Sequence, residues 1–180
     1  MLPEAAFPPI NTEARKELAR SPVGPFLEST HQQLVAIGKQ NDLSLLVGGN
    51  AVTDWASDGE ARVGSEIRNS AYYLPSPSAS AEQRYDKTHL VPFSEQAPFA
   101  TGPPWLRRLG LKIAAGRAAQ PLAPGEPSAF KPFELTWRSS DARQDRHRLQ
   151  FIAPICLEAI DPRVVANMMQ NGDGSESLLL

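Results

Sequence analysis

The chain has 180 residues, 41% hydrophobic and 21% charged, which is the size and composition of about one globular domain and excludes wholesale disorder. Its 18 basic and 20 acidic residues leave a formal charge of −2, so there is no positive field to hold a phosphate backbone and nucleic-acid binding is not expected. A single cysteine, Cys156, excludes an intrachain disulfide and any thiolate-rich zinc or iron–sulfur site built by this chain alone.

In chain order, the first periodic segment is residues 26–40. Phe26, Leu27, Leu34, Val35 and Ile37 approximate one helical face, and Glu28, His31, Gln32 and Gln33 fill the other. Residues 43–49 are a short apolar run between turn signals, as expected for a strand covered on both faces. Residues 53–66 are polar and predict a hairpin tip or loop, while 67–74 alternate well enough for a second strand that Pro75 and Pro77 end. A short strand is predicted at 83–87, after which Pro92 turns 90–93 into a loop. Residues 96–131, rich in Pro, Gly and Ala, predict a lid or loop within the domain. Strands at 133–138 and 148–155 flank a charged tip, and Asp161-Pro162 opens a helix with Val164, Val165, Met168 and Met169 on its apolar side, stopped by Asn171-Gly172. Residues 177–180 begin another apolar strand, and both ends read as interruptions of a larger α/β domain. No apolar run approaches the roughly 18 residues that span a bilayer, so the chain by itself reads as soluble.

The sequence lacks a Gly-x-Ser-x-Gly elbow, a Gly-rich phosphate loop and a His-Glu-x-x-His pair. His31, His89 and His147 lie far apart, so neither a metal nor a cofactor is expected. Cys156 follows an apolar strand and precedes a helix, which predicts a strand-to-helix turn. Such a turn exposes the side chain and aims backbone N–H groups and the helix dipole at it, favouring a thiolate and a developing oxyanion. A thiol nucleophile needs a base, and no histidine here has a cysteine-protease context. A carboxylate among apolar neighbours can serve, with an ammonium to stabilise the oxyanion. Glu4, between Pro3 and Ala5, and Lys87, at the end of the 83–87 strand, suit those tasks. Taken singly, each has a plainer reading: Glu4 as a solvated charge, Lys87 as half of a surface ion pair with Asp86, Cys156 as an inert core thiol.

Three blocks place these residues in one order: Pro3-Glu4, then Tyr85-Asp86-Lys87-Thr88-His89-Leu90-Val91-Pro92-Phe93-Ser94-Glu95, then Ile155-Cys156-Leu157-Glu158. They resemble the Glu-Lys-Cys motifs of the nitrilase, or carbon–nitrogen hydrolase, superfamily, and the block around Lys87 is similar to that of its apolipoprotein N-acyltransferase branch. Leu45-Leu46-Val47-Gly48-Gly49 and Arg68-Asn69-Ser70-Ala71-Tyr72 are similar to two of the family's strands, with a weaker match over 104–148. Leu157 stands where that branch usually has an aromatic residue, and Ser94 where it has glycine. The resemblance implies a nitrilase-like α-β-β-α sandwich, present as a partial catalytic domain over residues 1–180. It implies Glu4 as general base, Lys87 as oxyanion stabiliser, Cys156 as thioester-forming nucleophile, and Glu95 and Glu158 as supporting acids. The implied reaction moves a fatty acyl group from a phospholipid donor through Cys156 to the N-terminal amine of a lipoprotein acceptor. Its implied place is the periplasmic face of a bacterial inner membrane, with membrane contact through loops or through segments outside this chain. A soluble amidase using the same three residues, and a truncated inactive domain, are the alternatives.

Overall fold

Strand pairing in the computed structural model, which describes residues 7–58, 61–75, 82–91, 94–96, 102–106, 108, 122–138, 146–170 and 177–179, starts at the apolar run after residue 43 and carries on well past it. β1 (Leu45–Asp58) pairs antiparallel with β2 (Ala61–Leu74) in one register from Leu45↔Leu74 to Asp58↔Ala61. On the far side of β2 lies β3 (Gln83–Asp86), with Tyr85 opposite Ala71. The stretch 53–66, expected to be a tip or loop, is therefore mostly strand. A partner of equal length satisfies its backbone groups, and Thr53, Trp55 and Val63 are β-favouring residues that a hydropathy pattern undervalues.

Alternation along the strands sorts the two faces of this sheet. On one face Val47, Ala51, Tyr72 and Leu74 pack with Ile10 and with Leu34 of α2 (Gly24–Asn41). That helix overshoots the expected 26–40 at both ends, with Pro25 in its first turn and Asp42 closing it in the left-handed conformation, φ 51°. A six-residue helix before it, α1 (Thr12–Glu17), buries only Ala14 and so leaves no periodic signal in the sequence.

The opposite face, carrying Ala71, Tyr73 and Tyr85, shares an apolar cluster with a second sheet. There β4 (Phe133–Arg138) pairs antiparallel with β5 (Arg146–Ile152), and β6 (Ser177–Leu179) lies parallel on the other edge of β5. Tyr73 meets Phe151 edge-on at 5.1 Å between ring centroids, and Phe133 lies 5.3 Å from Phe151. β5 ends at Ile152 and not at the expected 155, because Pro154 has no N–H for a ladder. Helix α3 (Pro162–Gln170) has the expected bounds and buries Val164 and Met168, one turn apart, whereas Met169 is 41% exposed and is not a core residue. The fold is mixed α/β with antiparallel pairing dominant. Among the described residues no helix is long and apolar enough to cross a membrane.

Much of the expected 96–131 lid or loop lies outside the described residues. Its end, 122–130, is fastened to the first sheet: the Ala123 N–H donates to Ile67 O at 2.7 Å and the Gly125 N–H to Lys87 O at 2.7 Å. A Cβ on Gly125 would sit 2.3 Å from the Asp86 carbonyl oxygen, an approach that glycine alone permits. Gly125→Ala is expected to lower stability by about 1–3 kcal/mol, seen as a lower urea midpoint at unchanged slope.

Candidate functional site

Beyond β5 the chain passes Pro154 and Ile155 and reverses at Cys156, whose φ is 55°. For a residue with a Cβ this left-handed conformation costs roughly 1–2 kcal/mol, and such strain concentrates where a side chain has to be aimed. Cys156 opens a 3-10 turn, η2 (Cys156–Ile160), with its thiol exposed. The sulfur therefore sits at a strand-to-helix connection, as expected, but the turn delays α3 to Pro162. A helix dipole acts within about one turn of its end, so the expected contribution of the helix at the sulfur is corrected to that of η2's local N–H groups. Because glycine relieves this strain, Cys156→Gly should raise stability by about 1 kcal/mol, measured by denaturant unfolding, while removing the thiol.

A cavity of about 70 Å³ adjoins Cys156, walled by Leu46, Gly48, Asn69, Ala71, Ala153 and Ile155 among others. A larger one, about 410 Å³, lies between the Thr88–His89 turn and α3 and does not include the thiol.

Lys87 follows β3 and is wholly buried, at 0% exposure. Its N–H donates to Asn69 O at 2.8 Å, and its ammonium donates to Glu95 Oε1 at 2.9 Å with Oε2 at 2.8 Å. Burying a cation is tolerable only with such a partner. Glu95 is delivered by a tight turn in which the Ser94, Glu95 and Gln96 N–H groups all donate to Val91 O. The carboxylate also accepts from the Val91 N–H at 2.7 Å and from Asn69 Nδ2 at 3.3 Å. Burial pushes the Glu95 carboxyl up, but Lys87, the Val91 N–H and Asn69 together outweigh it and hold it below its ordinary value.

Glu158, two residues after the thiol, is likewise at 0% exposure. Its Oε1 accepts from the Thr88 N–H at 2.8 Å, the His89 N–H at 2.9 Å, Thr88 Oγ1 at 2.9 Å and Tyr85 Oη at 2.7 Å, and its Oε2 accepts from the Ile155 N–H at 3.1 Å. Burial, reinforced by the negative charge of Glu158, drives the Tyr85 hydroxyl far above its ordinary value, so it serves as a donor. One carboxylate thus fastens the residues just after Lys87 to the residue just before Cys156. Asn69 adds a second link, since it lines the cavity at Cys156 while its carbonyl and side chain bond Lys87 and Glu95.

Of the five residues singled out from the sequence, Lys87 and Glu95 form one ion pair and Glu158 joins their neighbourhood to Cys156. Glu4 lies outside the described residues. The nearest described residue after it, Phe7, makes a parallel bridge to Gly49, next to the Gly48 that walls the cavity. The sequence leaves Tyr85, Thr88 and Asn69 without a role: a buried tyrosine needs an acceptor for its hydroxyl, and only the fold reveals which. Compared with protein-family models, curated proteins and solved structures, the chain has no match.

Proposed function

We propose that this chain is an acyltransferase of nitrilase type, in which Cys156 takes a fatty acyl group from a phospholipid and passes it to the N-terminal amine of a lipoprotein. The observation that carries this reading is the buried Glu158 carboxylate, which accepts from Thr88 and His89 on one side and Ile155 on the other. It keeps the ammonium-bearing and sulfur-bearing segments in one neighbourhood. Glu4 is the proposed base.

In the first half-reaction the Cys156 thiol gives its proton to the Glu4 carboxylate as sulfur attacks the ester carbonyl. The tetrahedral oxyanion is stabilised by the Lys87 ammonium, held in place by Glu95, and by N–H groups of the turn. Collapse breaks the ester C–O bond, and the lysophospholipid alkoxide leaves with the proton from Glu4. In the second half-reaction the lipoprotein amine attacks the thioester, its proton passes through Glu4 to the departing sulfur, and an amide is formed. Leu157 and Ile160, 45% and 75% exposed along the same turn as the thiol, offer an apolar track for the acyl chain. On this reading the two sheets and their helices belong to an α-β-β-α sandwich, and the enzyme works at the periplasmic face of a bacterial inner membrane.

A second reading, a soluble amidase using the same residues, is favoured by the cavity of about 70 Å³, small beside the roughly 300–1,000 Å³ of sites for larger ligands. Incubation with phospholipid vesicles and a diacylglyceryl-cysteine lipopeptide, in parallel with short aliphatic amides, separates the two. N-acylated lipopeptide is the expected product. Ammonia from the amides without it would replace the first reading by the second, and neither product would refute both.

A further inference from the structure

Among the described residues, Glu158 is compensated by hydrogen-bond donors and not by a cation. Three of the five are backbone N–H groups that nearly any residue would supply, and two are hydroxyls: Tyr85 Oη at 2.7 Å and Thr88 Oγ1 at 2.9 Å from Oε1. Tyr85 is 3% exposed and reaches the carboxylate from the body of β3, where its ring also meets Phe130 edge-on at 5.3 Å. Thr88 reaches it from the turn itself, and His89 Nδ1 lies 3.1 Å from the same Thr88 oxygen. The two hydroxyls thus approach the one oxygen of Glu158 that also holds the Thr88 and His89 N–H groups. They select its rotamer and disperse its charge where water has no access. Removing either hydroxyl takes one of four donors from Oε1 and leaves the tether to three N–H groups and the other hydroxyl.

We propose that Tyr85 and Thr88 are positioning residues, which act through Glu158 to hold the Lys87 and Cys156 turns at the separation that acylation of the thiol requires. This rests on the reading of Cys156 as the nucleophile.

The test follows acylation of the full chain by p-nitrophenyl butyrate, in which the Cys156 thiol gives its proton to Glu4 as sulfur attacks the ester carbonyl, p-nitrophenolate leaves and a butyryl thioester forms. The unsubstituted chain is compared with Tyr85→Phe, which keeps the ring, with Thr88→Val, which keeps the shape, and with Thr88→Ser, which keeps the hydroxyl. All are assayed at a temperature where circular dichroism finds them folded. A displacement of about 1 Å in a reacting group is worth on the order of 100-fold. Tyr85→Phe and Thr88→Val are therefore expected to acylate roughly 10- to 100-fold more slowly, and Thr88→Ser at close to the unsubstituted rate. Equal rates in all four chains, or a Thr88→Ser variant as slow as Thr88→Val, would overturn the positioning role while leaving the nucleophile in place. An unsubstituted chain that forms no thioester at Cys156 would overturn the catalytic reading and this proposal together.

Discussion

Lys87→Met should destabilise the chain by about 3–5 kcal/mol, because it strips the ammonium partner from a carboxylate only 14% exposed. The total stability of such a domain is about 5–15 kcal/mol, so the effect is large enough to move a urea midpoint far or to unfold the chain outright. Lys87 is wholly buried, and Glu95 meets its ammonium with both oxygens, at 2.9 and 2.8 Å. After the substitution the carboxylate keeps only the Val91 N–H and Asn69 Nδ2 of its named donors. Adding Glu95→Gln to Lys87→Met removes the orphaned charge and should restore part of the loss. The pH profile carries a sign of its own. The native Glu95 carboxyl titrates below its ordinary 4.5, so the pair's contribution is complete above that value and is lost as the pH falls through the lower native one. Without Lys87 the largest cause that holds the carboxyl low is gone, so the loss of stability on acidification through that range should shrink. Denaturant unfolding at several pH values for the three chains checks both points. A Lys87→Met chain of unchanged midpoint and unchanged pH slope would mean that the pair is not formed.

Glu158→Ala is the second large effect. Three N–H groups and two hydroxyls lose their acceptor at a site with no exposure, and each buried donor left unsatisfied costs about 1–3 kcal/mol before any water enters. A net loss of about 3–5 kcal/mol is expected from several such donors together. The functional loss should exceed what unfolding explains, because the turns after Lys87 and before Cys156 are no longer tied: at a temperature where the variant is folded, acyl transfer should fall by at least about 100-fold. Calorimetry and the transfer assay on one preparation separate the two effects. A variant that transfers normally once folded would reduce Glu158 to a structural anchor.

Patterns that depend on local chemistry were legible in the sequence. The helices at 26–40 and after Pro162 follow from periodicity and helix-start signals, and the strand-to-helix connection at Cys156 follows from an apolar strand that runs directly ahead of the Asp161-Pro162 helix start. What escaped depends on partners distant in sequence. The polar hairpin arms of β1 and β2 are strands because each has the other. Met169, alike in kind to Met168, is exposed because a helix offers only one side to the core. Lys87 and Glu95 stand eight residues apart with nothing local to declare their ion pair or the burial of the lysine, and the convergence on Glu158 draws donors from 69 to 73 residues away. Nor does sequence announce that Cys156 adopts a left-handed conformation, since no glycine marks the position.

The proposal that Glu4, Lys87 and Cys156 act as one reactive group is tested most directly by mapping the acyl group itself. After incubation with p-nitrophenyl butyrate, peptide mass spectrometry of the unsubstituted chain should find a hydroxylamine-labile butyryl group on Cys156, absent in Cys156→Ser. In Glu4→Gln it should form about 100- to 10,000-fold more slowly, the usual contribution of a general base. A Cys156 that never carries the acyl group, or that acquires it equally fast without the Glu4 carboxylate, would contradict the account.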